Sequence, residues 1–185
     1  GGKVYIKKER VSYMSEESLK TLSRNYKQNL DYFKEQLGVE PSYDVISHEM
    51  IVGGKQAVLF FIQGFVDNEV LSHIVANLIR TKREDIVPNT LEKLKKQHIP
   101  YMQLDMAEKT DKLIDAVLMG MCVLLVEGET EGIIIDLRKY AARMPEEPDL
   151  EKVVRGSRDG FTETIVFNTQ LLRRRIRDRS LRMEV

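Results

Sequence analysis

The sequence predicts an α/β fold of the mixed α+β kind, in which a mixed sheet containing hairpins is flanked by helices. Two pairs of short apolar or β-branched runs are each joined by a glycine-containing turn, which is typical of β-hairpins. Segments with apolar residues at three- and four-residue steps lie between and around these pairs, which is typical of helices. Helices that alternate with hairpins favour a sheet covered by helices over a sandwich or a helical bundle.

The first predicted helix begins after Ser15 and ends at Gly38. Ser15 is suited to accept hydrogen bonds from the free amides of the first turn, and Glu16 and Glu17 suit the positive end of the helix dipole. Gly38 suits the left-handed conformation that ends many helices. The apolar side chains of this segment form one stripe, namely Leu19, Leu22, Tyr26, Leu30, Phe33 and Leu37. We expect the helix to dock on another element through this stripe.

Residues 43–52 and 57–66 are predicted to form the first hairpin, across Gly53 and Gly54. The first run roughly alternates polar with apolar residues, and the second is densely β-branched and aromatic, so we expect the second strand to be deeply buried. Asp67 is suited to cap the helix that follows. The apolar face of that helix consists of Val70, Leu71, Ile74, Val75, Leu78 and Ile79.

Residues 89–97 are predicted to form a further helix, with Pro88 in its first turn and Pro100 preventing its continuation. A short strand at residues 101–104 and a helix at residues 108–119 are predicted to follow.

Residues 121–126 and 132–136 are predicted to form the second hairpin. The single cysteine, Cys122, excludes an internal disulfide, and its apolar surroundings predict a buried thiol. The longest strongly apolar stretch, residues 116–126, has about half of the roughly 20 residues that a helix needs to span a bilayer.

Residues 141–160 are predicted to form a linker. It separates a first α/β subdomain with an N-terminal helix, residues 1–140, from the beginning of a second subdomain, residues 161–185. The second subdomain is predicted to begin with an arginine-rich helix and to continue with a strand at residues 181–185. Proline and glycine define two loops in the linker, Pro145-Glu146-Glu147-Pro148-Asp149 and Arg155-Gly156-Ser157-Arg158-Asp159-Gly160.

The sequence contains no recognisable catalytic, cofactor-binding or metal-binding motif. Gly53-Gly54-Lys55-Gln56 lacks the first glycine and the hydroxyl residue of a phosphate-binding loop. Gly156-Ser157 lacks the pattern of a nucleophile elbow, and no histidine follows it. The histidines His48, His73 and His98 lie in separate predicted elements without metal-ligand spacing. We therefore expect no enzyme activity, no cofactor and no metal.

The C-terminal arginines are the most unusual feature of the composition. The formal net charge is zero, whereas eight arginines and four acidic residues lie between residues 153 and 185. Arg173, Arg174, Arg175 and Arg177 occupy the polar faces of a predicted helix whose apolar stripe is Phe161, Ile165, Leu172 and Ile176. These arginines suit a solvated or intersubunit surface, an anionic lipid or acidic partner, or nucleic acid. The neutral overall charge and the lack of interleaved aromatic residues argue against nucleic acid.

Three blocks near the C terminus resemble the signature region of the GerA family, the A-type subunits of spore germinant receptors. They are Arg143-Met144-Pro145-Glu146-Glu147-Pro148-Asp149, Arg155-Gly156-Ser157-Arg158-Asp159-Gly160-Phe161-Thr162-Glu163, and Asn168 with Leu171-Leu172-Arg173-Arg174-Arg175-Ile176-Arg177-Asp178. Tyr43-Asp44-Val45 and Phe60-Phe61-Ile62-Gln63-Gly64-Phe65-Val66-Asp67 also look like family segments, so the resemblance extends from about residue 38 to the end. The loop around Ser157 is more similar to the stage V sporulation protein AF branch than to the nutrient receptors, where proline is frequent at this position.

The resemblance implies a soluble N-terminal coupling and assembly domain of a spore inner-membrane germination protein, with the domain facing the spore core. It implies transmembrane helices outside this sequence, other germination-complex membrane subunits as partners, and a homo-oligomer of the full-length protein. The complex would release ions during germination. A ligand pocket does not follow from the resemblance, because the germinant site is attributed mainly to the partner B subunit.

The interaction residues are expected to form two groups. Arg155 and Arg158 are predicted to anchor the linker loops through Glu146, Glu147 or Asp159. The arginines of the C-terminal helix, Arg173, Arg174, Arg175 and Arg177, are predicted to meet another subunit or the membrane face. One alternative is a small-molecule-sensing α/β domain without catalysis, because helices over a mixed sheet leave clefts at strand ends. The other is a nucleic-acid-binding domain that uses the C-terminal helix.

Overall fold

A computed structural model describes residues 3–6, 19–99, 103–138 and 165–184 of the chain. The strands in these ranges are β1 (Lys3–Ile6), β2 (Val45–Val52), β3 (Lys55–Ile62), β4 (Leu104–Ala107), β5 (Cys122–Val126), β6 (Gly132–Ile135) and β7 (Leu181–Glu184). The helices are α1 (Tyr26–Leu37), α2 (Asn68–Arg80), α3 (Arg83–Ile86), α4 (Thr90–Lys93), α5 (Thr110–Leu118) and α6 (Ile165–Arg175). A π-helical turn, Leu94–His98, continues α4.

Five strands form one sheet in the order β2-β3-β5-β6-β4, and every neighbouring pair is antiparallel. The predicted α+β class, with helices flanking a sheet that contains hairpins, is confirmed, but the described sheet is antiparallel throughout instead of mixed, because no strand in it has a parallel neighbour. Both predicted hairpins form, β2–β3 and β5–β6, and the first turns through Gly53 and Gly54 at φ values of 56° and 77°. Only glycine adopts such values without strain, which explains why two glycines stand there.

Helices cover both faces of this sheet. On one face, α1 and α5 pack on the sheet, where the rings of Phe33 and Phe60 stack with centroids 5.4 Å apart. On the other face, α2, α3 and α4 pack around buried residues such as Leu59 and Leu78. Alternate residues of β3 supply both cores, because successive side chains of a strand point to opposite faces.

Helix α1 begins ten residues later than predicted. The side chain of Asn25, rather than that of Ser15, caps it by accepting a hydrogen bond from the Gln28 amide at 3.3 Å. Leu22 fits the helical spacing of the stripe but lies in an extended segment, where its amide donates to the Glu108 carbonyl at 2.9 Å. The prediction failed because spacing alone does not distinguish a helical residue from an extended one that packs against the same core.

Other boundaries also differ from the predictions, and β3, predicted at residues 57–66, spans Lys55–Ile62. Strand β4 begins at Leu104, where the predicted strand at residues 101–104 ends, because its ladder with β6 runs from Leu104–Ile135 to Ala107–Gly132. Pro88 precedes the cap of α4, Asn89, instead of lying in the first turn, and α3 was not predicted at all. None of the helices in the described ranges combines the length and the apolar composition that crossing a bilayer requires.

The C-terminal segment forms a separate small sheet. Strand β7 pairs antiparallel with β1, from Lys3–Glu184 to Ile6–Leu181. The small sheet therefore holds residues 3–6 next to residues 181–184. The predicted linker, residues 141–160, lies outside the described residues.

Candidate functional site

The C-terminal segment, defined here as residues 165–184, is attached to the rest of the domain by three arginines. The first, Arg173 on α6, is 1% exposed and forms an ion pair with Asp44, which is 2% exposed. Its Nε donates to Oδ2 of Asp44 at 2.6 Å, and its Nη2 donates to Oδ1 at 2.9 Å. Two parallel hydrogen bonds between a guanidinium and a carboxylate form the strongest geometry available to such a pair.

Asp44 is held in place by the turn that leads into β2. Its backbone carbonyl accepts a hydrogen bond from the Gln63 amide at 2.8 Å, which extends the β2–β3 ladder by one residue. The ion pair therefore connects α6 directly to the first hairpin of the large sheet.

The second arginine, Arg182 of β7, lies against the C-terminal end of α1. It is 5% exposed, and its Nη2 donates to the Glu35 carbonyl at 3.3 Å, where a cation is favoured by the helix dipole. Its guanidinium packs on Gly38, which ends α1 at φ 65°, and a Cβ at Gly38 would lie 2.2 Å from Nε. Burial lowers the pKa of Arg182, and the positive charge of Arg173 lowers it further.

The third arginine, Arg179, connects the α6–β7 loop to α5. Its Nη1 donates to Asp111 at 3.0 Å, and its Nη2 lies 3.8 Å from Asp115. The neighbouring Asp178 accepts hydrogen bonds from the hydroxyl and the amide of Ser180, and these bonds lower the pKa of its carboxyl group. The α6–β7 loop is thus held by hydrogen bonds between its own residues and by the ion pairs of Arg179 with α5.

Three further hydrogen bonds complete the attachment. The Tyr43 amide donates to the Met183 carbonyl at 3.1 Å, and the Met183 amide donates to the Ser42 hydroxyl at 3.2 Å. The Tyr43 hydroxyl donates to the Thr169 hydroxyl at 3.0 Å. Met183 and Leu181 are fully buried, so apolar packing accompanies these bonds.

The arginines of α6 divide into buried and exposed positions. The expectation that Arg173 meets another subunit or the membrane face is corrected, because its side chain is enclosed with Asp44. Arg174, Arg175 and Arg177 are exposed. The guanidinium carbon of Arg174 lies 5.5 Å from the centroid of the Phe65 ring, a cation–π distance.

Sequence reasoning missed three members of this site, Asp44, Arg179 and Arg182. Asp44 was noted only within a family segment, because the alternating, partly exposed strand that follows it gives no local sign that its carboxylate is buried. The remaining predicted interaction residues lie outside the described residues: Glu146, Glu147, Arg155, Arg158 and Asp159.

No group of three or more His, Cys, Asp or Glu side chains in the described ranges is placed to hold a metal ion. An open, mostly apolar groove lies between β2 and α2, and its lining includes His48, Phe61, Val75 and Ile79.

The sequence assigns this mixed α+β domain to a family of spore germination proteins. The family model for the Bacillus/Clostridium GerA spore germination protein matches residues 31–185. The chain therefore belongs to the GerA family, as its motifs predicted.

Individual relatives agree with this assignment. The chain is 40% identical over 162 residues to stage V sporulation protein AF of Bacillus subtilis (strain 168), covering 88% of the chain and 33% of that protein. It is 25% identical over 168 residues to spore germination protein KA of the same organism, covering 88% of the chain and 30% of that protein. The chain thus spans about a third of the length of the curated relatives it matches.

A solved structure shares the fold. The N-terminal domain of the A subunit of the Bacillus megaterium spore germinant receptor GerK3 superposes with a TM-score of 0.66 at 21% identity. The match covers 86% of the chain and 57% of that structure.

Proposed function

We propose that this domain couples and assembles a spore inner-membrane germination protein of the GerA family. The domain faces the spore core, and transmembrane helices in the rest of the full-length protein lie in the membrane. Its partners are other germination-complex membrane subunits and further copies of its own chain. The complex releases ions during germination, and the domain itself performs no catalysis. Family membership and the names of the relatives support this setting.

The observation that carries the coupling role is the buried ion pair between Arg173 and Asp44. A segment held by a buried bidentate pair, by Arg179 and by Arg182 moves with the sheet as one body. A displacement of the large sheet would therefore be passed to β7 and to the chain connected with it. The higher identity to sporulation protein AF, 40% against 25% for protein KA, supports the sporulation protein AF branch.

The coupling role is tested in spores that produce the full-length protein with Asp44→Asn. We expect slower ion release, measured as the conductivity of the medium after germination is triggered, with the protein still present in the membrane fraction. Lys27→Gln is the matched control, because it removes an exposed ion pair on α1. In that pair, Nζ of Lys27 lies 3.1 Å from Oδ2 of Asp31. If Asp44→Asn lowers the amount of protein, Arg179→Gln replaces it as a milder variant. Unchanged ion release with normal amounts of both variants would contradict the coupling role.

The assembly role is tested separately with the exposed arginines. Arg174→Gln combined with Arg177→Gln leaves the Arg173 pair intact and removes only the exposed cation–π contact of Arg174 with Phe65, so we expect the melting temperature of the isolated domain to fall only slightly. We expect less of the partner subunits to co-purify with the full-length protein, because exposed guanidinium groups favour acidic or anionic partners. Normal co-purification would exclude these arginines from assembly.

The alternative of a small-molecule sensor has a candidate location in the described part of the chain, the groove between β2 and α2. Its mostly apolar lining suits an apolar ligand better than amino acids, sugars or dipicolinate. Titration calorimetry of the domain with these three classes of compound distinguishes the alternatives, because binding heat would favour the sensor.

A further inference from the structure

Helix α2 has an outer face that none of the described helices or strands covers. Its buried residues, Leu71, Ile74 and Leu78, pack on the sheet. On the outer side, Ile79 is 55% exposed, and it lines the open, mostly apolar groove between α2 and β2 together with the half-buried Val75. An exposed apolar side chain beside an apolar groove is a candidate contact surface.

The outer face of α2 carries two rows of side chains. Ser72 and Ile79 are seven residues apart, about two turns of helix, so they form an apolar row along the groove. Glu69 and Arg80 are eleven residues apart, about three turns, so they form a second, charged row, and both are exposed. Ala76 lies between the two rows.

The charged row is acidic at one end and basic at the other. Glu69 lies in the first turn of α2 and Arg80 in the last turn, so each suits the helix dipole at its own end. Neither forms an ion pair with another residue in the described part of the chain. A complementary partner must therefore be basic near Glu69 and acidic near Arg80. A uniformly acidic protein surface or an anionic membrane would meet Glu69 with a like charge.

We propose that α2 packs antiparallel on α2 of a second copy of this chain, with the twofold axis beside Ala76. The antiparallel direction places Glu69 of each copy next to Arg80 of the other, which gives two ion pairs between the copies. It also places Ile79 of each copy against Ser72 of the other, at the groove. Parallel helices would instead place like charges opposite each other.

One twofold axis satisfies both rows at once. In an antiparallel pair the axis is perpendicular to the plane of the two helices, so each row meets the same row of the second copy in reverse order. The charged row therefore meets the charged row, and the apolar row meets the apolar row. Burial of Ser72 leaves no unpaired hydroxyl, because this hydroxyl donates to the Asn68 carbonyl of its own helix at 2.7 Å.

The contact between the two copies is small. An interface made by one pair of helices is smaller than the about 1,200 Å² of typical stable complexes, so we expect a weak, reversible dimer of the 185-residue chain. The contact rests on the assembly proposed above, because a shared membrane complex would raise the effective concentration of the domains. The experiments below use only the 185-residue chain. A negative result would therefore exclude this contact, whereas ion release and co-purification test the proposed function separately.

Sedimentation velocity over concentrations up to about 1 mM tests whether the dimer forms. We expect a reversible dimer of the natural sequence. Ile79→Lys should weaken it by about tenfold or more, because it places a charge in the apolar row. Met119→Lys is the matched control, because Met119 is 43% exposed but lies at the end of α5, on the other face of the sheet. Circular dichroism checks that both variants keep the fold.

Charge reversal tests the antiparallel direction. Glu69→Arg and Arg80→Glu should each weaken the dimer by about tenfold or more, because each turns both ion pairs into contacts between like charges. An equimolar mixture of the two variants should dimerise again, because a dimer with one copy of each variant has two pairs of opposite charge. Lys27→Glu is the control, because it reverses an exposed charge on α1, across the sheet.

The position of the axis is tested by oxidative cross-linking. The two copies of residue 76 would face each other within the about 4.4–6.8 Å between Cα atoms that a disulfide spans, so Ala76→Cys should cross-link the dimer. Glu69→Cys should not, because an axis beside residue 76 places the two copies of residue 69 about 20 Å apart along the helices. The buried Cys122 does not compete.

Four outcomes would overturn the proposal. They are a monomer at every concentration, a dimer of unchanged strength in Ile79→Lys, a mixture of the two charge-reversal variants that stays monomeric, and cross-linking at residue 69 instead of residue 76.

Discussion

A buried arginine costs several kcal/mol unless a carboxylate and good hydrogen bonds meet it, and Asp44 provides both for Arg173. Asp44→Asn removes the negative charge and leaves a cation enclosed, so we expect the free energy of unfolding to fall by about 3 to 5 kcal/mol. Urea unfolding of the domain, followed by circular dichroism, measures this change.

The matched control and a second variant separate charge from packing. Lys27→Gln removes an exposed pair and should change the free energy of unfolding by about 0 to 1 kcal/mol. Replacing both partners, with Asp44→Leu and Arg173→Met, should recover most of the loss because no charge remains buried. If the double variant is as unstable as Asp44→Asn, the stability at this site comes from the packing of the two side chains and not from the neutralisation of the Arg173 charge by Asp44.

Cys122 makes the stability of the domain depend on alkaline pH. Burial raises the pKa of its thiol to about 12, and the carboxylate of Asp136 adds to the shift. The unfolded thiol ionises near its ordinary value of 9.0 while the folded thiol stays neutral, so stability is intact below pH 9 and falls as the pH rises toward 12. At pH 10 this loss is about 1.4 kcal/mol relative to pH 8.

The control for this effect is Cys122→Ala, which cannot ionise. Its stability should fall between pH 8 and pH 10 by about 1.4 kcal/mol less than that of the natural sequence, as measured by urea unfolding at both values. Tyr26 also has a pKa raised by burial to about 12, but its ordinary value of 10.0 places its contribution mainly above pH 10. Equal losses for the two proteins would mean that the thiol is accessible in the folded state.

At the scale of elements, the end of α1 depends on one glycine and one arginine. Gly38→Ala forces a side chain into the left-handed region and against the Arg182 guanidinium, so we expect a loss above the 1 to 2 kcal/mol of the backbone term alone. Gly54→Ala is the control, since Gly54 also has a positive φ of 77° but a Cβ there meets nothing within 4 Å. Thermal unfolding of both variants measures the difference, and equal losses would show that Arg182 moves aside without cost.

The elements also show how much the sequence could predict. Local signals identified the glycine turn of the first hairpin, the buried strand β3 and the Asp67 cap of α2, which accepts from the Glu69 and Val70 amides. The start of α1 was wrong because Ser15 and Asn25 are both good caps, and only the pairing of the preceding segment with residues 108–110 decides between them. That pairing is a contact between segments far apart in the sequence.

The candidate site was predictable only in part for the same reason. The arginine cluster was visible as a charge pattern, but its partners lie 64 to 147 residues away along the chain. A charge pattern does not tell which guanidinium is enclosed, so Arg173 was grouped with Arg174, Arg175 and Arg177.

At the scale of the whole molecule, the C-terminal segment is expected to open only when the large sheet opens. Hydrogen exchange of the domain tests this, because amides that need global unfolding share the highest protection. We expect the amide of Met183 in β7 to be protected as strongly as that of Leu59 in β3. In Asp44→Asn, exchange in β7 should become about 100-fold faster relative to β3, because the cost of breaking the buried pair falls on the attachment of α6. Lys27→Gln should leave the two strands equally protected. Rapid exchange of β7 in the natural sequence would show that the segment opens by itself, and the rigid connection on which the coupling role depends would then be absent.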